Sequence, residues 1–351
     1  MRRSRHSAGY LFATGPVTMK IGIFGAGSIG CHVGGMLAAA GNEVVLVGRE
    51  TMRARLSQGI ALTRFDGGEC FAAPNRFEFS SDPAPLADCD TILLCMKSIA
   101  TSEAARTLAG IAKPDAVVVS LQNGISNANV LRDRLGARTV LAGMVGFNVA
   151  QIGDNRFHCG TEGEIVLGVD RGANEIARRL NDAGIETAVS PDIGAVQWGK
   201  LLLNLNNAIN ALSGLPLKQE LSSRAYRQVL AASMREALGV LKAEGIRPAK
   251  VAKVGPAMIP AMLSLPDWLF VRLAGSMLKM DDDATSSMAE DLARGRAAEI
   301  DWLNGEIVAL GREAGVSTPV NDRIVALVKA QFAGAGPKRY SGAELKKAAL
   351  E

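Results

Sequence analysis

The sequence has few of the residues that build metal sites and nucleic-acid surfaces. Aromatic residues make up 5% of its 351 residues, it has only three histidines, and its formal net charge is +4. The histidines are scattered singly, so no spacing typical of zinc ligands occurs. No long basic run favours dedicated nucleic-acid binding. We therefore expect neither a metal site nor a nucleic-acid partner.

Disulfide and membrane signals are also missing. The five cysteines are odd in number, show no CxxC spacing and lie mostly in apolar runs, which is typical of reduced, buried thiols. The most apolar stretch, residues 254–278, contains three prolines together with Asp267 and Arg272, so it does not read as a membrane span. We expect a soluble, cytoplasmic protein.

What remains is a chain with 48% hydrophobic residues, enough for a large core. At roughly 150 residues per domain, its length predicts two domains with a cleft between them. Residues 1–18 form an Arg-rich leader outside the fold, which is either a targeting peptide or the product of an upstream start codon. We assign 19–190 to a first domain, 191–335 to a second domain and 336–351 to a short helix or tail.

The first domain begins with a glycine-rich turn between a strand and a helix. The apolar residues 21–24 predict a buried strand, and a second strand follows at 43–47. The turn between the first strand and its helix reads Gly25-Ala26-Gly27-Ser28-Ile29-Gly30. In this context the three glycines permit a tight turn, close approach of a pyrophosphate and close packing of helix on strand. The motif predicts dinucleotide binding at a helix N-terminus.

The end of the second strand bears on which dinucleotide is bound. An NAD enzyme places Asp or Glu there, whereas this chain has Gly48 and Arg49. An arginine suits the 2′-phosphate of NADP, and Arg53 lies one turn later, although Glu50 argues the other way. The sequence favours NADP, with a solvated Arg49 as the alternative.

Further short strands are predicted at 91–96, 117–121, 139–142, 165–169 and 185–189. They give an α/β class with an N-terminal Rossmann-type, doubly wound sheet. After about residue 190 the apolar spacing becomes that of helices, at 194–212, 222–244, 286–314 and 319–332. The C-terminal domain is therefore predicted to be all-α. Ser341 and Glu344 fit a capping box for a last helix.

Polar residues at two strand ends and along one helix mark the candidate site. Lys97 and Asn123 follow predicted neighbouring strands, where open α/β sheets bind ligands. In the first C-terminal helix, Asn204 and Asn207 lie within about 40° of Lys200. Burying these groups is costly unless they find partners, and an oxygen-rich acid would provide them. A set of satisfied core amides and a snorkelling lysine is the alternative.

Because no histidine falls in a comparable setting, Lys200 is the candidate proton donor, with a pKa lowered by desolvation. Ser286 and Ser287 precede a predicted long helix, where simple N-capping competes with a ligand role. Glu299 is one carboxylate on that charged helix.

Together these residues resemble the ketopantoate reductase family (2-dehydropantoate 2-reductase) over about residues 19–332. The likeness rests on the glycine turn, Lys97, Gln122-Asn123-Gly124, Lys200 with Asn204, and Ser286-Ser287-Met288 followed by Glu299-Ile300-Asp301 and Asn304-Gly305. It implies that Arg49, Lys97, Asn123 and Glu299 hold NADPH. It further implies that Lys200 is the general acid, that Asn204 and Ser287 bind a 2-oxo acid, and that Asn123 contacts both ligands.

The chain departs from that family in two places. Some members carry a second asparagine at the position where this chain has Ala208. The preceding residue, Asn207, would take the place of that asparagine. Residues 254–280 form a longer, methionine-rich stretch that could reshape the pocket mouth or form a homodimer contact. A straight helix would also separate Ser287 from Glu299 by about 18 Å, so either the helix starts late or the two residues serve different ligands.

Three hypotheses follow. The first is NADPH-dependent reduction of ketopantoate, the second is the same chemistry on another branched 2-oxo acid, and the third is a module that binds NADP without turnover.

Overall fold

A computed structural model describes residues 19–250, 254–273, 275, 283–336 and 339–351. The predicted leader and Met277 and Met280 of the methionine-rich stretch lie outside these residues. Within them, an N-terminal part built on strands precedes a part made of helices. The strands are β1 Lys20–Phe24, β2 Glu43–Val47, β3 Ile60–Arg64, β4 Glu69–Ala72, β5 Phe77–Ser80, β6 Thr91–Leu94, β7 Val117–Ser120, β8 Thr139–Val145, β9 Val149–Gln151, β10 Arg156–Cys159, β11 Ile165–Gly168 and β12 Thr187–Ser190.

Five α-helices accompany the strands in the described N-terminal part, and ten more follow β12. The first five are α1 Ser28–Ala39, α2 Glu50–Leu56, α3 Thr101–Ile111, α4 Asn127–Leu135 and α5 Ala173–Asp182. The later helices are α6 Ile193–Asn204, α7 Asn206–Ser213, α8 Leu217–Ser222, α9 Arg224–Ala243, α10 Ile259–Leu263, α11 Asp267–Leu273, α12 Ser287–Ala293, α13 Asn304–Glu313, α14 Pro319–Phe332 and α15 Gly342–Leu350. Short 3₁₀ turns lie at Pro74–Arg76, Ala84–Asp88, Ser98–Ala100, Pro256–Met258 and Ile300–Trp302.

The main sheet has eight strands in the order β12-β11-β8-β7-β6-β1-β2-β5. Neighbouring strands are parallel from β5 to β8, whereas β11 runs antiparallel to β8. Apolar cores cover both faces of this sheet, as its almost continuous apolar strands require. The predicted α/β class and Rossmann-type sheet are confirmed, with the detail that the sheet is mixed.

A second, four-stranded sheet in the order β4-β3-β10-β9 was not predicted. It packs on α1, where a Cβ at Gly35 would lie 3.1 Å from Ile60 and Leu62 side-chain atoms. Its strands are short and partly exposed, and they lack the continuous apolar runs that identified the main sheet. The sequence pattern therefore does not distinguish these strands from the connections between the strands of the main sheet.

The C-terminal part is helical and has its own apolar core. The strand-rich part ends with β12 at Ser190, and α6 begins at Ile193. These bounds support the domain division that we propose at about residue 190. Within the described ranges, no helix has the length and apolarity needed to cross a bilayer.

Three helix predictions need correction, whereas the helix at 319–332 has the bounds of α14. The predicted helix 194–212 is interrupted at Leu205 into α6 and α7, and 222–244 is shortened to α9 with α8 before it. The predicted helix 286–314 is three pieces: α12, the 3₁₀ turn Ile300–Trp302 and α13. Gly295 follows α12 with a φ of 62°, a left-handed conformation that ends a helix.

Two local predictions are confirmed. Ser341 and Glu344 form the capping box at the start of α15. All five cysteines are free, with Cys31, Cys89 and Cys159 buried.

Candidate active site

The glycine-rich turn joins β1 to α1 and is held against the end of β2. The amides of Gly25 and Ala26 both donate to the carbonyl oxygen of Val47, at 2.9 Å each. Gly25 has a φ of 115°, and a Cβ at Gly30 would overlap the Gly25 carbonyl. A Cβ at Gly27, in contrast, would meet nothing within 4 Å. The turn is therefore closed on the protein side and open beside the N-terminus of α1, a geometry that fits a pyrophosphate.

Arg49 lies next to this turn. A Cβ at Gly48 would lie 2.6 Å from the Ala26 Cβ, so the end of β2 touches the turn. Arg49 is exposed, and its side chain makes no hydrogen bond or ion pair with the described residues. Arg53 is instead engaged by Glu50 at 2.7 Å and by the Phe79 carbonyl at 3.2 Å. Arg49 is thus a cation beside the glycine turn that has no side-chain partner among the described residues.

Lys97 follows β6 and joins the two parts of the chain. Its Nζ lies 2.8 Å from Asp291 Oδ2 and 2.9 Å from Glu299 Oε2. The other Glu299 oxygen accepts the Ser98 amide at 2.7 Å. The two carboxylate side chains are only 4% and 8% exposed. Burial works to lower the pKa of Lys97, but Glu299 and Asp291 outweigh it and hold the pKa above its usual value.

Asn123 is held by its backbone, which leaves its side chain for the cleft. Its carbonyl accepts hydrogen bonds from Ser98 Oγ at 2.9 Å and Asn127 Nδ2 at 2.6 Å. Gly124 follows with a φ of 93°, which turns the chain away after β7. The Asn123 Oδ1 lies 3.5 Å from Asn204 Nδ2 of α6. The side-chain amides of the two domains therefore meet here.

Lys200 enters the same place from α6. This helix is capped by Asp192, whose carboxylate accepts the Ala195 amide at 2.9 Å. One turn before Lys200, Gln197 Nε2 donates to the Gly143 carbonyl of β8 at 3.1 Å, which ties the helix to the sheet. Lys200, Asn204 and Asn123 all line one small cleft between the two parts. Lys200 and Asn204, two of the three residues of the predicted polar stripe, thus lie in a cleft between the two parts.

The Lys200 ammonium has no partner within the part of the chain that the structure describes. Its Nζ makes no hydrogen bond or ion pair there, and burial lowers its pKa. A lysine with a lowered pKa gives up its proton more readily than a solvated one. This arrangement can donate a proton to a group in the cleft.

The remaining predicted substrate residues lie apart from that cleft. Asn207 is not among the described residues lining it, because Leu205 interrupts the helix before it. Ser286 is the N-cap of α12, and its Oγ accepts the Ala289 amide at 3.2 Å, so the capping alternative is correct for this residue. Ser287, the first residue of α12, is exposed and makes no side-chain hydrogen bond with the described residues.

Two residues at the site were missed by sequence reasoning. Asp291 is as close to Lys97 as Glu299 is, yet it lies 194 positions away in the chain. Gln197 positions α6 through a backbone carbonyl. The break of the long helix at Gly295 is what lets Asp291 and Glu299 face one lysine, and Gly295 itself was the available signal.

Comparison with protein families gives two matches that together span most of the chain. Residues 21–172 match the family described as ketopantoate reductase PanE/ApbA, and residues 192–332 match its C-terminal domain. The chain belongs to the ketopantoate reductase family. The proposed family likeness is therefore confirmed.

Individual relatives agree with this assignment. The chain is 29% identical over 320 residues to 2-dehydropantoate 2-reductase of Halobacterium salinarum, covering 89% of this chain and 98% of the relative. The crystal structure of a PanE/ApbA family ketopantoate reductase from Ralstonia eutropha JMP134 has a TM-score of 0.77 and 32% identity, covering 90% and 99% of the two chains.

A ternary structure of D-mandelate dehydrogenase with NADH and anilino(oxo)acetate has a TM-score of 0.76 at 22% identity, again covering 90% of this chain and 99% of the other. At that identity the likeness shows a shared fold.

Membership in the ketopantoate reductase family makes this protein an oxidoreductase that acts on a CH–OH/C=O pair with a nicotinamide cofactor. It is therefore an enzyme rather than a module that binds NADP without turnover.

Proposed function

We propose that the protein catalyses the NADPH-dependent reduction of 2-dehydropantoate (ketopantoate) to (R)-pantoate, a step of pantothenate and coenzyme A synthesis. The observation that carries the mechanism is the half-buried Lys200 side chain, which lines the cleft beside Asn123 and Asn204 and has no hydrogen-bond or ion-pair partner among the described residues. Relatives named 2-dehydropantoate 2-reductase, such as that of Halobacterium salinarum, support the substrate.

The glycine turn and its surroundings fit the cofactor. When bound, NADPH supplies the hydride that reduces the C2 carbonyl. The Gly25–Gly30 turn and the N-terminus of α1 hold the pyrophosphate, and Arg49 binds the 2′-phosphate, since its guanidinium has no other described partner. Lys97, Glu299 and Asn123 complete the cofactor site at the carboxyl ends of β6 and β7.

Lys200 donates a proton to the substrate oxygen. As a cation it also stabilises the negative charge that develops on that oxygen during reduction. Its lowered pKa makes the transfer easier than from a solvated lysine. Asn204 orients the acid beside it, and Asn123 contacts both ligands. Asn207 and Ser287 do not line the cleft, so a contact with the acid from the adjacent helices would require the acid to extend beyond it. This positioning holds the reacting atoms within about 3.5 Å.

The cofactor assignment is tested at Arg49. Arg49→Asp should weaken NADPH binding by at least about tenfold, because a charge-assisted hydrogen bond contributes about 1.5–3 kcal/mol. NADH has no 2′-phosphate, so its dissociation constant should change little. Fluorescence titration with both cofactors measures this, and Arg55→Asp in α2, the helix that follows Arg49, is the control for loss of a nearby surface arginine. Equal losses for NADPH and NADH, or an initial preference for NADH, would contradict the assignment.

A second substrate is favoured by one residue. Ala208 occupies the position of an asparagine in some family members, and it is fully buried in the helical core. This position therefore carries a methyl group in place of the amide of those members, a change that favours another branched 2-oxo acid. Steady-state rates over a panel of such acids, followed by NADPH consumption, decide between the two, and a preference for a different acid would replace ketopantoate. The homodimer stays a prediction, which sedimentation analysis can test.

A further inference from the structure

A carboxyl group lies fully buried in the helical domain, away from the cleft. Glu220 of α8 is 0% exposed, and none of the ion pairs within the described ranges involves it. Its Oε2 accepts Asn210 Nδ2 at 2.9 Å and, more weakly, Asn206 Nδ2 at 3.5 Å. All the hydrogen bonds that the described residues donate to the Glu220 carboxylate therefore reach the same oxygen, Oε2.

Two buried oxygens in this cluster lack a donor. Among the residues that the structure describes, Glu220 Oε1 and Asn206 Oδ1 have no hydrogen-bond partner. An unsatisfied buried acceptor costs about 1–3 kcal/mol, and a charged one costs more. A single proton on Glu220 Oε1 would neutralise the carboxylate and provide the missing donor, while Oε2 kept its two amide donors. Burial also raises the pKa of Glu220, to about 8, against the two amide hydrogen bonds that lower it.

The cluster reaches the start of α12 through Asn210. The Asn210 Nδ2 donates to Glu220, while its Oδ1 accepts the Ser286 amide at 2.8 Å. The Ser286 Oγ in turn contacts the Asn207 carbonyl at 3.3 Å. The side-chain amide of Asn210 is therefore fixed at one end by Glu220 and fixes the first residues of α12 at the other. Ser287, assigned to the substrate above, is the next residue.

We propose that Glu220 is a neutral carboxylic acid in the folded enzyme at neutral pH, donating its proton to Asn206 Oδ1, and that it is a positioning residue for the substrate end of α12. The part that concerns the substrate rests on the proposed function. The protonation state does not.

The charged and titratable neighbours leave this assignment intact. The packed helix α7 carries none. On α9, the Tyr226 hydroxyl donates to the Tyr340 carbonyl at 2.8 Å, and Arg227 donates to Asp267 of α11 at 2.9 Å. Arg272 is the other charged residue of α11. None of these groups supplies a cation to Glu220.

Stability against pH tests the protonation state. Glu220→Gln keeps an acceptor and replaces the O–H donor with an N–H, so it mimics the neutral acid. Because the folded pKa of Glu220 is raised above its usual 4.5, its stabilising contribution is complete below about pH 4.5 and is lost as pH rises towards 8. The melting temperatures of wild type and Glu220→Gln should therefore agree at about pH 4, diverge in favour of the variant up to pH 8, and keep a constant difference above it.

Glu236→Gln is the matched control in the same domain. The Glu236 carboxylate accepts the amides of Val320 and Asn321 at 2.8 and 2.9 Å, so an amide N–H there would face other donors. This variant should be less stable than wild type throughout the pH range. A difference between wild type and Glu220→Gln that does not change with pH would overturn the proposal. A wild-type melting temperature that rises with K⁺, with the rise lost in Glu220→Gln, would also overturn it, since a bound cation would then satisfy the two oxygens.

Infrared difference spectra and kinetics complete the test. Wild type minus Glu220→Gln at pH 7 should contain the carbonyl stretch of a protonated carboxyl, and its absence would refute the neutral acid. Glu220→Met, which removes the acceptor of Asn210, should raise KM for the oxo acid several-fold with an unchanged NADPH dissociation constant. Glu220→Gln should keep the wild-type KM. Equal KM values for all three would remove the positioning role, whereas absence of turnover in wild type would count against the proposed function alone.

Discussion

Replacement of Lys200 by methionine removes the proposed proton donor while keeping an unbranched side chain of similar length. General acid catalysis contributes about 10²–10⁴-fold to rate. The Lys200 ammonium would also stabilise charge on the substrate oxygen, in a cleft where partial burial lowers the pKa of this lysine. We therefore expect Lys200→Met to lower kcat by about a hundredfold or more, which corresponds to at least about 2.7 kcal/mol at 1.36 kcal/mol per tenfold.

Single-turnover and steady-state oxidation of NADPH with ketopantoate measure this effect. NADPH affinity should stay nearly unchanged, because the glycine turn and Arg49, to which we assign the pyrophosphate and the 2′-phosphate, form no hydrogen bond or ion pair with Lys200 among the described residues. In wild type, a general acid must be protonated, so kcat falls as pH rises through the pKa of Lys200. Burial lowers that pKa from 10.5, so the alkaline limb should lie below the value for a solvated lysine and disappear in Lys200→Met.

The same variant should be more stable than wild type. The half-buried Lys200 ammonium has no partner among the described residues, so its partial desolvation destabilises the folded state, and methionine removes that penalty. Since the folded pKa of Lys200 is depressed, wild-type stability should recover as pH rises towards 10.5, and the advantage of Lys200→Met should shrink in parallel. Lys242→Met, at an exposed position on α9, is the control for loss of a lysine. An unchanged kcat in Lys200→Met would remove this lysine from the mechanism.

Two further predictions concern cofactor binding and stability. Gly27→Ala should keep the wild-type melting temperature but weaken NADPH by about tenfold or more, since its Cβ enters the open space of the proposed pyrophosphate site. Gly30→Ala should lose stability as well, because its Cβ would overlap the Gly25 carbonyl. Calorimetry with cofactor titration separates the two, and normal NADPH binding by Gly27→Ala would contradict the site. Arg227→Met should lower the free energy of unfolding by about 3 kcal/mol or more, because it leaves the carbonyls of Leu221, Leu263 and Leu265 without their donor, and each buried acceptor left unsatisfied costs about 1–3 kcal/mol. Urea unfolding measures this, and a loss below about 1 kcal/mol would show that Arg227 is replaceable.

The parts of the fold that could be predicted carry local signals. The strand, glycine turn, helix and second strand lie within thirty residues, and each has an apolar period or a glycine that identifies it. The four-stranded sheet has no such signal, because β3 pairs with β10 across more than ninety residues of chain and its strands are half exposed. The helical spacing of apolar residues continues across residues 286–314 and predicts one helix. Gly295, which has a positive φ, ends α12 within that range.

The site divides in the same way. Lys200 and Asn204 were found because an amine and an amide on an apolar helix are costly to bury without partners. The partners of Lys97 could not be found in this manner. Asp291 is one acidic residue among several on its segment, and only the tertiary fold places it 2.8 Å from the lysine. Ser286 and Ser287 were correctly associated with the start of a helix, but only the structure separates the capping residue from the exposed one.

The connection between β12 and α6 consists of Pro191 and Asp192, and Lys200 lies seven residues into the helix that follows. Seven residues of α-helix span about 10 Å, so a rotation of α6 by about 10° about its first residue would move the Lys200 backbone by about 2 Å. A small change in the angle between the two parts would therefore change how far the Lys200 ammonium extends into the cleft. The hydrogen bond between Gln197 and the Gly143 carbonyl lies between the Pro191–Asp192 connection and Lys200, so it resists such a rotation of α6.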